Sequence, residues 1–265
     1  MRAKRSLGQH FLVDVGAARR IVAALAPAPG DRVLEIGPGR GALTQHLAGR
    51  VARLVAVELD RDLAAALRQA YAATPGVEIL EADARHVEVE VLFGGRPWKA
   101  LGNLPYNLTT PLLFWLLEQR PAPEMAVVMV QREVAARLAA GPGTKDFGAL
   151  TVNVQAAARV ERLFDVPPRA FRPAPQVVSS VVRLVPHHPA ALAPGEAARL
   201  RALAQAWFGR RRQQLGRILR ATLPAAEAAL AASTLADHGI DLRARPEDVP
   251  VEVWLTLARR LATPG

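Results

Sequence analysis

Cysteine is absent from the 265 residues, which excludes a disulfide framework and any zinc site built on thiolates. No apolar run approaches the roughly 18 residues that a membrane-spanning helix needs. Lysine is scarce: only Lys4, Lys99 and Lys145 occur, and arginine carries the rest of the positive charge. The amino-terminal stretch from Met1 to Ser6 leads into Gly8-Gln9-His10 and not into an apolar signal core, so the expectation is a soluble, cytoplasmic protein. The six histidines show no ligand spacing, and no metal site is expected.

What remains is a chain that is 51% hydrophobic, enough to fill one large core or two modest ones. Its formal charge is +10 and its pI near 11.2. Such a balance favours a polyanionic partner, because each cation set against a phosphate gains from counterion release. Nucleic acid is the first candidate.

From Asp31 to about Gln131, short β-branched apolar runs alternate with amphipathic stretches. Strands are expected over Arg32 to Ile36, Arg53 to Val57, Val77 to Leu80, Trp98 to Leu101 and Met125 to Val130, with helical patterns such as Leu63 to Tyr71 and Pro111 to Leu117 between them. This alternation predicts an α/β fold with a mostly parallel sheet and helices on both faces. Two further runs, Val160 to Val166 and Val177 to Val185, are expected to close the sheet edge as a hairpin. Trp98 and Trp115 read as core residues. After Pro186-His187-His188-Pro189 the pattern becomes all-helical, with helices expected over Glu196 to Phe208, Gln213 to Leu223, Ala225 to Ala232 and Val251 to Leu261. The division expected is therefore 1–186 for the α/β domain and 187–265 for a small helical one.

The residues at strand ends carry the chemistry. Leu34-Glu35-Ile36-Gly37-Pro38-Gly39-Arg40-Gly41 places three glycines at alternate positions after the first strong strand. In an open α/β sheet that turn lies at the carboxyl edge, where glycine lets a nucleotide-type ligand approach the backbone. Glu58 ends the next strand, where a carboxylate can accept both hydroxyls of a ribose. Asp83 follows the third, where a carboxylate can accept from an adenine amine. Asp60 stands ahead of the Leu63 helix and suits an N-cap.

Asn103-Leu104-Pro105-Tyr106 follows the fourth strand. An exocyclic adenine amine is a poor nucleophile because its lone pair is delocalised into the ring, and an enzyme that alkylates it must hold the amine by its hydrogens. The Asn103 oxygen and the Leu104 carbonyl can do this. Pro105 fixes φ and removes a competing N–H, and Tyr106 offers a ring on which a base can stack.

With these blocks assembled, the chain resembles the adenine N6-dimethyltransferases of small-subunit ribosomal RNA, the kasugamycin-resistance methyltransferase family. The likeness runs from Lys4 to about Leu261. Its landmarks are Lys4-Arg5-Ser6-Leu7-Gly8-Gln9-His10-Phe11-Leu12, the glycine turn, Glu58, Asp83, Asn103 to Tyr106, Gln131-Arg132-Glu133-Val134, and the block from Phe171 to Val182.

The resemblance implies a Rossmann-like class I methyltransferase domain with a mostly parallel seven-stranded sheet and a small all-α carboxyl-terminal domain. It implies S-adenosylmethionine as cofactor, held by Gly37, Gly39, Glu58, Asp83 and Ala84, with His10 and Leu12 closing over it and Asn103 near its reactive end. The family carries Asn where this sequence has His10. Phe171 corresponds to an aromatic that the family uses against the target base, so Tyr106 and Phe171 are expected to sandwich a flipped adenine.

The implied partner is 16S ribosomal RNA within the small ribosomal subunit or its precursor, dimethylated at two adjacent adenines near its 3′ end during subunit biogenesis by a monomeric enzyme. Seven arginines lie between Arg199 and Arg220, with no acid from Ala197 to Ala226. Arg210, Arg211, Arg212 and Arg217 belong to a stretch resembling the family's basic turn. Together with Arg2, Lys4 and Arg5 they are expected to bind RNA phosphates. Two rivals remain open: a large-subunit adenine methyltransferase of the antibiotic-resistance type, and a non-catalytic ribosome-assembly factor on the same fold. The residue after the pocket Asn is Leu104, where the resistance relatives more often have Ile, which favours the small subunit.

Overall fold

The computed structural model describes residues 9–262, so Arg2, Lys4 and Arg5 lie outside the described residues. The strands are β1 (Phe11–Leu12), β2 (Arg32–Ile36), β3 (Arg53–Glu58), β4 (Val77–Glu81), β5 (Lys99–Asn103), β6 (Met125–Gln131), β7 (Ala158–Val166), β8 (Phe171–Arg172) and β9 (Ser179–Pro186). The helices are α1 (Val15–Leu25), α2 (Thr44–Leu47), α3 (Arg61–Tyr71), α4 (Val89–Phe93), α5 (Thr109–Glu118), α6 (Arg132–Leu138), α7 (Ala149–Ala157), α8 (Pro194–Phe208), α9 (Leu215–Thr222), α10 (Ala225–Asp237) and α11 (Val251–Leu261). None of them is long and apolar enough to cross a membrane.

Seven strands form one sheet in the order β4-β3-β2-β5-β6-β9-β7. Neighbours from β4 to β6 run parallel, and β9 runs antiparallel to β6. The expected seven-stranded, mostly parallel sheet is what forms. The chain winds outward from β2 to β3 and β4, then returns to add β5 on the other side, so the strand order reverses beside β2. Crevices open at the carboxyl ends of strands at such a reversal. Gly102 lets β5 lie close beside β2: a Cβ there would stand 2.8 Å from the Ile36 carbonyl oxygen.

The central strands are buried on both faces, as their unbroken apolar runs require. As expected, β7 and β9 lie side by side and close the sheet edge, while β8 between them in sequence pairs with β1 in a separate two-stranded ladder, Leu12 opposite Phe171. Helix α1 places Ala18, Ile21, Val22 and Leu25 on one buried face, and Asp14 caps it by accepting from Ala17 N. Trp98 is fully buried, whereas Trp115 is only partly buried.

Two compact units emerge, residues 1–135 with 160–186, and residues 136–159 with 187–265. The expected division at residue 186 therefore misplaces 136–159. Phe147, Val152 and Ala156 of that segment pack with Trp207, Trp254 and Leu257 in the helical core. An amphipathic stretch shows that it has an apolar face and not which core receives it.

Candidate cofactor and acceptor site

A cleft of about 1090 Å³, counted with its open mouth, lies at the carboxyl ends of β2 to β5. Its wall includes His10, Leu12, Gly37, Gly39, Glu58, Asp83, Ala84, Asn103, Leu104, Pro105 and Tyr106. Four strand ends thus converge on one cavity.

The glycine turn after β2 passes through φ values of +66° at Gly37 and +60° at Gly39, a region that residues with a Cβ rarely adopt. Glu58, the last residue of β3, accepts from Gly39 N through Oε2 at 2.9 Å and from Asp60 N through Oε1 at 2.9 Å. Each oxygen keeps acceptor capacity for a ligand. Burial pushes the Glu58 carboxyl above its usual range, while the backbone donors of Asp60 and Gly39 pull it back. Asp60 caps α3, as expected, by accepting from Asp62 N and Leu63 N.

Asp83 follows β4 and caps the short turn Ala84–His86 by accepting from Arg85 N. The Arg85 guanidinium grips both its oxygens, with the shortest contact 2.6 Å, and this pairing holds the carboxyl below the ordinary aspartate value. The side chain is therefore an ionised acceptor beside the cavity.

Glu35 is the residue that sequence reasoning missed. It lines the cleft, is 1% exposed, and neither oxygen meets a donor in hydrogen-bonding geometry. Burial raises its pKa to about 7, with Thr44 drawing it back and Glu58 adding to the rise. A carboxylate inside the apolar run Val33-Leu34-Glu35-Ile36 of a strand buried on both faces was itself the signal.

Asn103 closes β5, two residues further than the expected run to Leu101, which fixes its backbone in the sheet opposite Met129. Its Nδ2 donates to the His10 carbonyl at 3.1 Å. A carbonyl accepts only from the amide nitrogen, so this bond sets the carboxamide orientation and leaves Oδ1 as the acceptor. Pro105 O receives Leu108 N at 3.0 Å and the Thr109 hydroxyl at 3.1 Å, so the neighbouring Leu104 carbonyl is the better candidate for an incoming amine.

The segment before β1 lies against these parts. His10 Nδ1 is 2.8 Å from the Pro173 carbonyl, which requires the proton on Nδ1. Its ring stacks on Tyr106, with centroids 5.6 Å apart and planes 28° from parallel. Gln9 Nε2 reaches Asp60 Oδ2 at 3.3 Å, Arg40 lies over the Phe11 ring at 4.5 Å, and Leu12 is buried beneath.

Two expectations require correction. Phe171 does not line the cleft; it is 0% exposed within a cluster holding Leu12, Ile21 and Val181, because its pairing with Leu12 points the ring into the core. The ring that faces Tyr106 belongs to His10. The arginine series is also heterogeneous. Arg211 donates to the Thr144 carbonyl and pairs with Glu247 at 3.3 Å, and Arg199 pairs with Glu227, whereas Arg210, Arg212, Arg217 and Arg220 are exposed. Among the described residues no group of His, Asp or Glu side chains is placed to hold a metal ion.

The profile of the family described as ribosomal RNA adenine dimethylase matches residues 1–263. A ribosomal RNA small subunit methyltransferase A from Bordetella petrii is 44% identical over 264 residues, covering 99% of this chain and 97% of that one. Among solved structures, a dimethyladenosine transferase from Plasmodium falciparum superimposes with a TM-score of 0.78 at 25% identity, covering 94% of this chain and 96% of that one. A 23S rRNA methyltransferase, ErmE, gives 0.72 at 29% identity, covering 96% and 100%. The converging strand ends, the glycine turn and the Asn103 pocket are thus those of a Rossmann-like class I methyltransferase, and the chain belongs to the ribosomal RNA adenine dimethylase family.

Proposed function

We propose that this enzyme transfers methyl groups from S-adenosylmethionine to the N6 amines of two adjacent adenines near the 3′ end of 16S ribosomal RNA, dimethylating each during small-subunit assembly. The observation that carries this reading is the Asn103 carboxamide, locked by His10 so that its oxygen is the free acceptor, one turn of chain from the Tyr106 ring.

The residues present fit the cofactor. Glu58 has acceptor capacity for ribose hydroxyls, and Asp83 is an ionised acceptor for an adenine amine, with Ala84 beside it. The buried carboxylate of Glu35 suits a cationic amine, which would relieve its desolvation. Gly37 and Gly39 leave the backbone bare, and His10 and Leu12 close one wall. When bound, S-adenosylmethionine supplies an electrophilic methyl group.

The chain's own residues act on the acceptor. Asn103 Oδ1 and the Leu104 carbonyl accept the two amine hydrogens and favour a pyramidal nitrogen whose lone pair is no longer shared with the ring. Tyr106 holds the base by stacking, which offsets part of the cost of unstacking it from RNA. Position and preorganised acceptors supply the rate, with no covalent enzyme intermediate. The methylated nitrogen is transiently acidic and passes its proton to solvent. A mono-methylated amine keeps one hydrogen, enough for one of the two acceptors to hold it for the second round.

The exposed Arg210, Arg212 and Arg217, with Arg2, Lys4 and Arg5, are proposed to contact RNA phosphates. The enzyme is proposed to act as a cytoplasmic monomer. The likeness to ErmE keeps large-subunit RNA as the competing substrate. The test is transfer of labelled methyl to small subunits lacking adenine dimethylation, beside large subunits and duplex DNA. Label in small-subunit RNA alone supports the proposal; label only in large-subunit RNA moves the assignment to the resistance-type substrate; tight particle binding without transfer leaves an assembly factor.

A further inference from the structure

Tyr106 is fixed at its far end by a residue with no assigned role. Its phenolic oxygen lies 2.7 Å from Ser179 Oγ. Ser179 is 0% exposed and opens β9 opposite Gln131 of β6. A hydroxyl buried so fully is costly without a partner, and here the partner is the phenol. A tyrosine free at its tip can swing about its first side-chain torsion; pinning the phenolic oxygen fixes where the ring lies, and the His10 ring stacked on it restrains its plane.

The sheet relates this anchor to the amine acceptor. Asn103 of β5 pairs with Met129 of β6, and Gln131, two residues along the same strand, pairs with Ser179 of β9. Carboxamide and ring are therefore both tied to one rigid strand, at opposite edges. The face of Tyr106 that His10 covers leaves no room for a base between the two rings, because two stacking gaps of about 3.5 Å would need some 7 Å against the 5.6 Å observed.

We infer that Ser179 is a positioning residue for methyl transfer: its hydrogen bond holds the Tyr106 ring so that a base stacked on it presents its amine to Asn103. This rests on the adenine reading above. Ser179 touches neither base nor cofactor and acts only through the phenol.

The test is a double-mutant cycle on the full-length enzyme with Ser179→Ala, Tyr106→Phe and the pair, measuring single-turnover methyl transfer to unmethylated small subunits and S-adenosylmethionine affinity by calorimetry. Tyr106→Phe keeps the ring and removes only the hydroxyl, so it reports on the bond even if Ser179→Ala folds poorly. Each single change is expected to slow transfer about tenfold, as misplacement of a reacting group does, and the double change no further, with cofactor affinity within about twofold of wild type, because the two act as a unit. Multiplying effects, or a Tyr106→Phe enzyme as fast as wild type, overturns the inference while leaving the adenine reading standing. A wild-type enzyme that transfers nothing to either ribosomal RNA overturns that reading and the inference with it.

Discussion

The Asn103 carboxamide and the His10 carbonyl are joined by a 3.1 Å hydrogen bond across 93 positions of sequence. The bond makes the acceptor geometry of the pocket depend on the short segment before β1, which is itself tied to Asp60, Pro173 and Tyr106. One hydrogen bond thus ties the cavity wall to the orientation of the Asn103 amide.

Removing the acceptor should therefore cost rate and spare binding. Asn103→Ala is expected to slow methyl transfer by about 100-fold or more, the scale of deleting one preorganised polar group at a reacting centre. S-adenosylmethionine affinity should change much less. Rapid-quench transfer and calorimetry on the same variant separate the two.

Glu35 predicts a pH dependence of stability. Its folded pKa of about 7 stands above the ordinary 4.5, so between those values the folded chain binds the proton that the unfolded chain has released. Stability contributed by this group is full below pH 4.5 and is lost as pH rises through 7, about 3 kcal/mol in all by linkage. Glu35→Gln should lack that loss. Urea unfolding of the ligand-free protein at pH 5 and pH 8 should show wild type falling relative to the variant.

The glycine turn can be tested against an internal control. Gly39 and Gly49 both have positive φ, +60° and +72°, but a Cβ at Gly39 meets Phe11 at 3.2 Å and one at Gly49 meets nothing within 4 Å. Gly49→Ala should lose about 1 kcal/mol from backbone strain alone. Gly39→Ala should lose more and also weaken S-adenosylmethionine binding, since it displaces the donor to Glu58. Thermal melts with and without cofactor distinguish them.

The arginine series should divide by role. Arg211→Ala is expected to lower Tm, because it frees Glu247 and the Thr144 carbonyl. Arg212→Ala and Arg217→Ala should leave Tm unchanged and reduce the slope of log affinity against log salt by about one each. RNA binding titrated across salt concentrations, beside calorimetric melts, reads both effects.

Most of the cleft was legible because a parallel sheet gathers its functional residues at strand ends, and each of Gly37, Glu58, Asp83 and Asn103 follows an apolar run that announces its strand. The missing parts have common physical causes. Strands of two residues, such as β1 and β8, have no periodicity to read, so the pairing that buries Phe171 was hidden. Glu35 was overlooked because its neighbours read as core. Arg211 looks like its neighbours in sequence, and only the loop holding Thr144 and Glu247 distinguishes it. Segment 136–159 carries an apolar face whose destination depends on tertiary packing.

The proposed reaction is dimethylation of adenine in small-subunit RNA at the Asn103 pocket. Its most direct test is nucleoside mass spectrometry of 16S RNA from unmethylated small subunits incubated with the enzyme and S-adenosylmethionine. N6,N6-dimethyladenosine at two adjacent positions near the 3′ end, absent with Asn103→Ala, is the predicted result. Unmodified 16S RNA under conditions where the enzyme binds the cofactor and the particle would contradict it.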